Sequence, residues 1–375
     1  MAHVNPDRPV DVVVYGATGF TGALCARALA EAGLRIAVAG RSAEKLTALA
    51  ADLGGCPTFV ARLENPTELR AMLLQSRAVL ACAGPFAGGG LRLVEAAIAA
   101  ECTYLDISGE VAFYCEVTRL HEKAVAAGVT LVPAVGFDAV MGEVAASLAA
   151  QRLPAAVARV TLSLATTTQP SRGSLATLWA GLGSGGYDHT FADGELRPAP
   201  AGSEAWRERL PPPFGAVRVA GMGLVELLTV SRALACASVR TGVAMPQPWL
   251  FAAVARAIRW LHRPGRIRGA LRRVIDALLH ALPAGASSAA QSRVQSRMQA
   301  VAEDGGGTAV RVCAHAGDVG LWTAICAASC VQHVLRQPPA PGLRTPTEAC
   351  GTAELAAALT ARGARFAVDV EVGGP

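Results

Sequence analysis

The chain has 375 residues, of which 52% are hydrophobic and 17% charged, with a formal net charge of +5. That is enough for two domains with cores of their own, and the charge excess is too mild to indicate nucleic acid as a partner. Ten cysteines are scattered with no Cys-x-x-Cys pair or metal spacing, no secretory leader is read, and no apolar run is long enough to span a bilayer; the expectation is free thiols in a cytoplasmic protein without a metal site.

The first element is the apolar run Val12 to Tyr15, a short buried-type strand. Phe20 to Ala32 follows as a helix with Leu24, Ala28 and Leu29 on one face; Gly33 stops it, and Ile36 to Ala39 is the next strand. Between strand and helix lies Gly16-Ala17-Thr18-Gly19-Phe20-Thr21-Gly22. Glycines there let the backbone turn sharply and approach a pyrophosphate, whose charge the helix N-terminus meets. Gly16, Thr18, Gly19, Phe20, Thr21 and Gly22 are therefore candidate cofactor-binding residues, the alternative being a structural turn.

The second strand ends at Gly40 without the acid that would bind a ribose 2′-hydroxyl; Arg41, Ser42 and Lys45 follow. A guanidinium and a hydroxyl suit a 2′-phosphate, so NADP is expected ahead of NAD. Ser42 is also a natural N-cap for the next helix, and the two roles are compatible.

The alternation continues with a helix over Glu68 to Gln75, a strand over Ala78 to Cys82, and a helix over Leu91 to Ala100. A strand over Thr103 to Ile107, a helix over Phe113 to Ala127 and a strand over Val129 to Val135 complete it. This pattern implies an α/β, Rossmann-type doubly wound parallel sheet with helices on both faces. Ligands lie at the carboxyl ends of such strands. The expected rim is thus Gly84, Pro85 and Phe86 lining the nicotinamide half, then Ser108-Gly109-Glu110, then Gly136-Phe137-Asp138. Short-chain dehydrogenases, which share the glycine spacing, place a lysine four residues after a tyrosine; Tyr104, Tyr114 and Tyr187 are followed at that position by Ser108, Thr118 and Phe191, so that chemistry is excluded.

Three stretches, "GATGFTG", "AGPFAGGGLRLVEAAIAAECTYLDISGE" and "HEKAVAAGVTLVPAVGFDAVMGEVAASLA", resemble the saccharopine dehydrogenase-like oxidoreductases, nearest to the bacterial trans-acting enoyl reductases. The likeness is close over the first 150 residues and returns in "GDVGLWTAICAASCVQHVL" and "LRTPTEACGTAELAAALTARGARF". It implies a Rossmann domain over 1–150, joined by a returning helix at about 318–337, a second α+β domain over 151–317, and a closing segment over 338–375 that packs back on both. It fixes the cofactor class better than the reaction.

In the middle, Val157 to Thr168 alternates like a strand, Arg172 to Leu182 reads as a helix, and Ser184 to Pro213 reads as a long Gly/Pro/Ser-rich excursion. Ala235 to Met245 is a strand, and Ser292 to Ala302 with Thr308 to His315 form a hairpin, which together fit a mixed, largely antiparallel sheet. The segment Trp249 to Leu282 carries seven arginines against a single acid, Asp276, and Pro264-Gly265 breaks it into two helices. Such a basic hairpin fits an acidic acyl carrier protein or an anionic membrane surface, which would make the protein peripheral at a membrane. The plainer reading is a hairpin packed on its own domain with a solvated arginine face.

For the chemistry, Tyr104, Ser108, Glu110 and Asp138 stand near the strand ends. Tyr104 and Ser108 are candidate donors to an enolate, and Glu110 and Asp138 candidate titrating groups. Each has a structural alternative: Tyr104 as core, Asp106 as a partner for turn amides, Glu110 and Asp138 as helix caps. His121 is expected to face solvent, His189 to lie in a surface loop and His315 to sit in core. The activity expected is reduction of a C=C bond in a small-molecule or carrier-linked acyl thioester by NADPH. The alternatives are a saccharopine-type imine reductase, and a non-catalytic nucleotide or lipid-surface protein. The oligomeric state is not legible.

Overall fold

A computed structural model describes residues 7–168, 170–282 and 291–371. The chain forms two compact units, Met1–Val140 with Gly320–Arg362, and Met141–Val319 with Gly363–Pro375.

The first unit is built on seven parallel strands. They are β1 (Val10–Tyr15), β2 (Ile36–Gly40), β3 (Thr58–Val60), β4 (Ser76–Ala81), β5 (Thr103–Asp106), β6 (Thr130–Val132) and the short strand Gly342–Leu343. Their order is β3-β2-β1-β4-β5-β6, with Gly342–Leu343 beyond β6. This is the doubly wound order of dinucleotide-binding folds, and the direction of winding reverses between β1 and β4. Every residue of β1 and β2 is buried, which explains why Val12 to Tyr15 and Ile36 to Ala39 read as apolar runs rather than alternating ones. Ahead of β1, the buried guanidinium of Arg8 donates to the carbonyls of Leu73, Ser76 and Ala100, tying the chain's entry to the segments that lead into β4 and β5.

The expected helix over Phe113 to Ala127 is two helices, Val111–Thr118 and His121–Ala126. The Thr118 hydroxyl bonds back to the Tyr114 carbonyl at 2.9 Å, the kind of local bond that competes with helix continuation. His121, expected at solvent, instead accepts the Leu343 amide on Nδ1 at 3.0 Å and so anchors the last strand of the sheet.

The second unit holds a nine-stranded sheet. Its strands include β7 (Val157–Thr166), β8 (His189–Ala192), β9 (Glu195–Pro198), β10 (Ala205–Leu210), β11 (Gly215–Gly221), β12 (Ser238–Ala244), β13 (Ser296–Asp304) and β14 (Ala309–Ala316), and Arg365–Glu371 closes the edge beside β14. The β12–β7 pair is parallel and the other pairs are antiparallel. The stretch expected as a long excursion contains β8, β9 and β10. Asp193 and Gly194 take φ of 53° and 79°, the two left-handed positions of a tight hairpin turn, so an Asp-Gly pair was the overlooked signal. His189 accordingly lies in a strand, not a loop.

Candidate active site

The site is built first from glycine. Gly16 leaves β1 at φ +80°, and a Cβ there would stand 2.7 Å from the Cβ of Ala83, the second residue after β4. The two loops of the winding reversal thus touch backbone to backbone, which only glycine permits. Gly22, in the first turn of the helix Phe20–Glu31, would carry its Cβ 2.3 Å from the Gly16 carbonyl oxygen. Gly19 caps that helix with no side-chain hydrogen bond and donates its own amide to the Gly16 carbonyl at 3.0 Å. A helix N-terminus packed this tightly on its own loop, without a capping side chain, presents its first amides to an anion. Thr18, Phe20 and Thr21 sit on this turn, and the Thr18 Oγ1 stands 3.9 Å from where a Cβ on Gly40 would be.

At the end of β2, Arg41 is exposed and Ser42 caps the helix Ala43–Asp52 by accepting the Lys45 amide at 3.4 Å. That bond uses an acceptor site of Ser42; its hydroxyl proton is left to donate. The capping role and the phosphate-binding role expected for this residue are therefore compatible in geometry. Beneath it, the Tyr15 hydroxyl donates to the Ala61 carbonyl at 3.1 Å, fixing the end of β3 against β1.

The loop Gly84-Pro85-Phe86 is held from across the sheet. Glu110 Oε1 accepts the Phe86 amide and Oε2 the Ala87 amide, each at 2.8 Å. Glu110 occupies the N-cap position of the helix Val111–Thr118 but makes no side-chain cap bond to it. Its carboxylate serves the neighbouring loop instead. The Phe86 ring packs on Phe113 at 5.3 Å between centroids, and Gly90 admits that ring, since a Cβ there would lie 2.8 Å from it.

Asp106, the last residue of β5, is fully buried. Its Oδ1 accepts the amides of Ser108 at 2.8 Å and Ala134 at 2.9 Å, which binds the loop after β5 to the loop after β6. Ala134 takes φ 61°, a left-handed conformation unusual for a residue with a side chain, and the Asp106 bond is one of the restraints that hold it. Burial raises the Asp106 carboxyl, against the lowering effect of those amides. The hydroxyls of Tyr104 and Ser108 lean on the same carboxylate without a well-formed hydrogen bond. Burial first, and then the Asp106 charge, push the Tyr104 phenol well above its ordinary range. Tyr104 is wholly enclosed, so the structure places it under the rim rather than on it.

Asp138 lies in the first turn of the helix Phe137–Ala150. The cap of that helix is Thr323, whose Oγ1 accepts the Phe137 amide at 3.2 Å. Asp138 is thereby released from the capping role its position suggests. Its Oδ1 is buried with no hydrogen bond, and burial lifts its carboxyl to about 6. Thr323 sits on the helix Val319–Arg336 and was not picked out from sequence; a threonine almost two hundred residues downstream leaves no local signal. Ser108 and Glu110 follow β5 and Asp138 follows β6, and their surroundings differ: Glu110 holds a loop, Ser108 is buried, and Asp138 has a buried Oδ1 without a hydrogen bond.

Residues 12–132 match the family described as "Saccharopine dehydrogenase NADP binding domain". Among curated proteins, a trans-acting enoyl reductase of Mycobacterium leprae (strain TN) is 42% identical over 145 residues, 36% of this chain and 35% of that protein. A trans-acting enoyl reductase of Mycobacterium tuberculosis (strain ATCC 25618 / H37Rv) is 39% identical over 142 residues, 36% of this chain and 34% of that protein. The matched stretch therefore spans about a third of the length of these curated relatives. Among solved structures, apo saccharopine dehydrogenase (L-Glu forming) from Saccharomyces cerevisiae covers 97% of this chain and 100% of its own with a TM-score of 0.63 at 14% identity, a likeness of fold. Gly16, Gly22 and the uncapped helix start sit inside the matched stretch, so the part of the chain that is similar to saccharopine dehydrogenase NADP-binding domains is the part that carries the glycine turn.

Proposed function

We propose that the protein is an NADPH-dependent enoyl reductase that reduces the C=C bond of an acyl thioester. The observation that carries this reading is the likeness of the coenzyme-binding region to trans-acting enoyl reductases, at 42% and 39% identity. The glycine cradle of Gly16 and Gly22 fits a dinucleotide diphosphate, and Arg41 with Ser42, at a strand end that lacks an acid, fits the 2′-phosphate.

NADPH held by these residues would supply the hydride for the β-carbon of an enoyl group. The chain's own residues do the rest. The amides of the turn over Thr18 to Thr21 meet the diphosphate, and Gly84, Pro85 and Phe86, fixed by Glu110, shape the nicotinamide end. Asp138 holds a proton on its carboxyl and delivers it to the α-carbon, then regains one from solvent. A carboxyl at about 6 is suited to that exchange near neutrality.

A second reading, an imine reductase of the saccharopine type, is favoured only by the whole-chain likeness of fold. The deciding experiment follows NADPH oxidation with a 2-enoyl thioester, and separately with an imine formed from glutamate and an aldehyde. The enoyl reading requires turnover with the first and none with the second; the opposite pattern overturns it.

A further inference from the structure

The helical hairpin of the second unit turns a row of large apolar side chains outward, beyond those that pack on its own domain. Its arms are Pro248–His262 and Arg266–Ala281. The first arm packs inward through Ala252 and Ala255, with Phe251 and Ile258 against a small core that includes Leu182 and Tyr187. In the second arm the half-buried side is mixed: Asp276 accepts the Trp179 indole at 2.9 Å, and Arg268, Arg272, Ile275 and Leu279 are half-buried. The outward side is apolar. Ile267 is 78% exposed and Leu278 63%, and Leu271 and Val274 stand exposed between them. These four recur at helical spacing and form a stripe about 17 Å long. On the first arm Trp249 and Trp260 are also exposed, at 65% and 51%. Soluble surfaces rarely concentrate large apolar side chains in this way.

The charge around the stripe identifies what covers it. Arg256, Arg263, Arg266 and Arg273 are exposed on the same hairpin, while its only acid, Asp276, is engaged by Trp179. Arg259 is paired with Asp188, and Arg268 lies over the Trp260 ring at 5.3 Å. A second copy of the chain docked about a two-fold axis would set arginines against arginines across the apolar contact, which is costly. An anionic lipid surface matches both features: acyl chains for the stripe, headgroup phosphates for the arginines, and an interfacial depth suited to tryptophan. Among the described residues no helix is long and apolar enough to cross a membrane, which leaves a helix lying in the interface plane.

We infer that the hairpin Pro248–Ala281 seats the protein on anionic bilayers, its outward stripe at Ile267, Leu271, Val274 and Leu278 entering the acyl region and its exposed arginines meeting lipid phosphates. This inference is independent of the reaction proposed above.

The test is flotation of the full chain with vesicles of phosphatidylcholine alone and of phosphatidylcholine with phosphatidylglycerol. Binding is expected with the anionic vesicles, together with a blue shift of tryptophan emission. The triple variant Leu271→Ser, Val274→Ser, Leu278→Ser removes three exposed apolar side chains, so partitioning drops at least about ten-fold while NADPH binding and thermal stability persist. The variant Arg256→Ser, Arg266→Ser, Arg273→Ser weakens binding and flattens its dependence on salt. Absence of vesicle binding by the native chain overturns the inference, as does binding indifferent to the stripe. Two further results also overturn it: self-association of the native chain that the triple variant abolishes without affecting vesicle binding, and binding of a bacterial acyl carrier protein that depends on the stripe when vesicle binding does not.

Discussion

The Glu110 carboxylate accepts the backbone N–H groups of Phe86 and Ala87, one on each oxygen and each at 2.8 Å. A residue that opens the helix after β5 thereby determines the shape of the loop after β4. Charge-assisted bonds of this kind are among the stronger polar contacts in a protein, and they are aimed at amides that no regular secondary structure would satisfy.

Replacing Glu110 by alanine frees both amides and is expected to cost about 2–3 kcal/mol in stability, together with a clear loss of NADPH affinity, since the loop at Gly84 to Phe86 faces the coenzyme in the proposed site. Glu110→Gln keeps one acceptor and turns a donor toward the other amide, so it should fall between. Thermal unfolding and coenzyme titration check both. An unchanged coenzyme affinity in Glu110→Ala would detach this loop from the site.

Much of the first unit was legible because its signals are local. The glycines at 16, 19 and 22 lie within one turn, and the buried strands announce themselves as apolar runs. What could not be read is what depends on partners distant in sequence. Glu110 and Phe86 are separated by 24 positions, and His121 meets Leu343 across 222. The Thr323 cap is equally remote from Phe137, and the burial that raises the Asp138 carboxyl is no more visible in the local sequence. In the hairpin the amphipathic pattern was visible, but its direction was not. Sequence periodicity gives the angle between the apolar and charged faces of a helix and says nothing of which one turns outward.

The glycine cradle can be separated from glycine's conformational role. Gly22 would place a Cβ 2.3 Å from the Gly16 carbonyl, whereas Gly33, at φ +77°, has nothing within 4 Å. Gly33→Ala therefore pays only for a left-handed residue, about 1 kcal/mol. Gly22→Ala must displace backbone and is expected to cost about 3 kcal/mol or more and to abolish NADPH binding. Denaturant unfolding with coenzyme titration of the two variants side by side measures the difference; equal behaviour would remove the packing argument.

Asp138 supplies a pH dependence with a defined sign. Burial lifts its carboxyl from 3.8 to about 6. As a proton donor it is active when protonated, so kcat/KM with an enoyl thioester should fall as pH rises above about 6. Asp138→Asn should lose about a hundred-fold at the optimum and show no such limb. Stability carries the same signature. The folded pKa exceeds the unfolded one, so the contribution of this group to stability is fully present below 3.8 and is lost as pH rises through about 6. The asparagine variant should lack that decline, which gives a readout independent of turnover. A retained kinetic limb in Asp138→Asn assigns the proton to another group.

Arg41 is expected to determine coenzyme choice if the proposed site is correct. It is exposed at the end of β2, beside a Ser42 hydroxyl whose donor capacity its N-cap bond does not consume. A guanidinium there gains from a 2′-phosphate and gains nothing from a 2′-hydroxyl, so NADPH should bind more tightly than NADH. Arg41→Asp replaces that attraction with repulsion and offers an acceptor to a ribose diol, and is expected to reverse the order. Competitive titration by fluorescence of the two reduced coenzymes reads both affinities in one protein. Because Arg41 is exposed and outside the sheet's core, the variant should fold as the native chain does, and a preference that stays unchanged would move the phosphate-binding role to another residue of the loop.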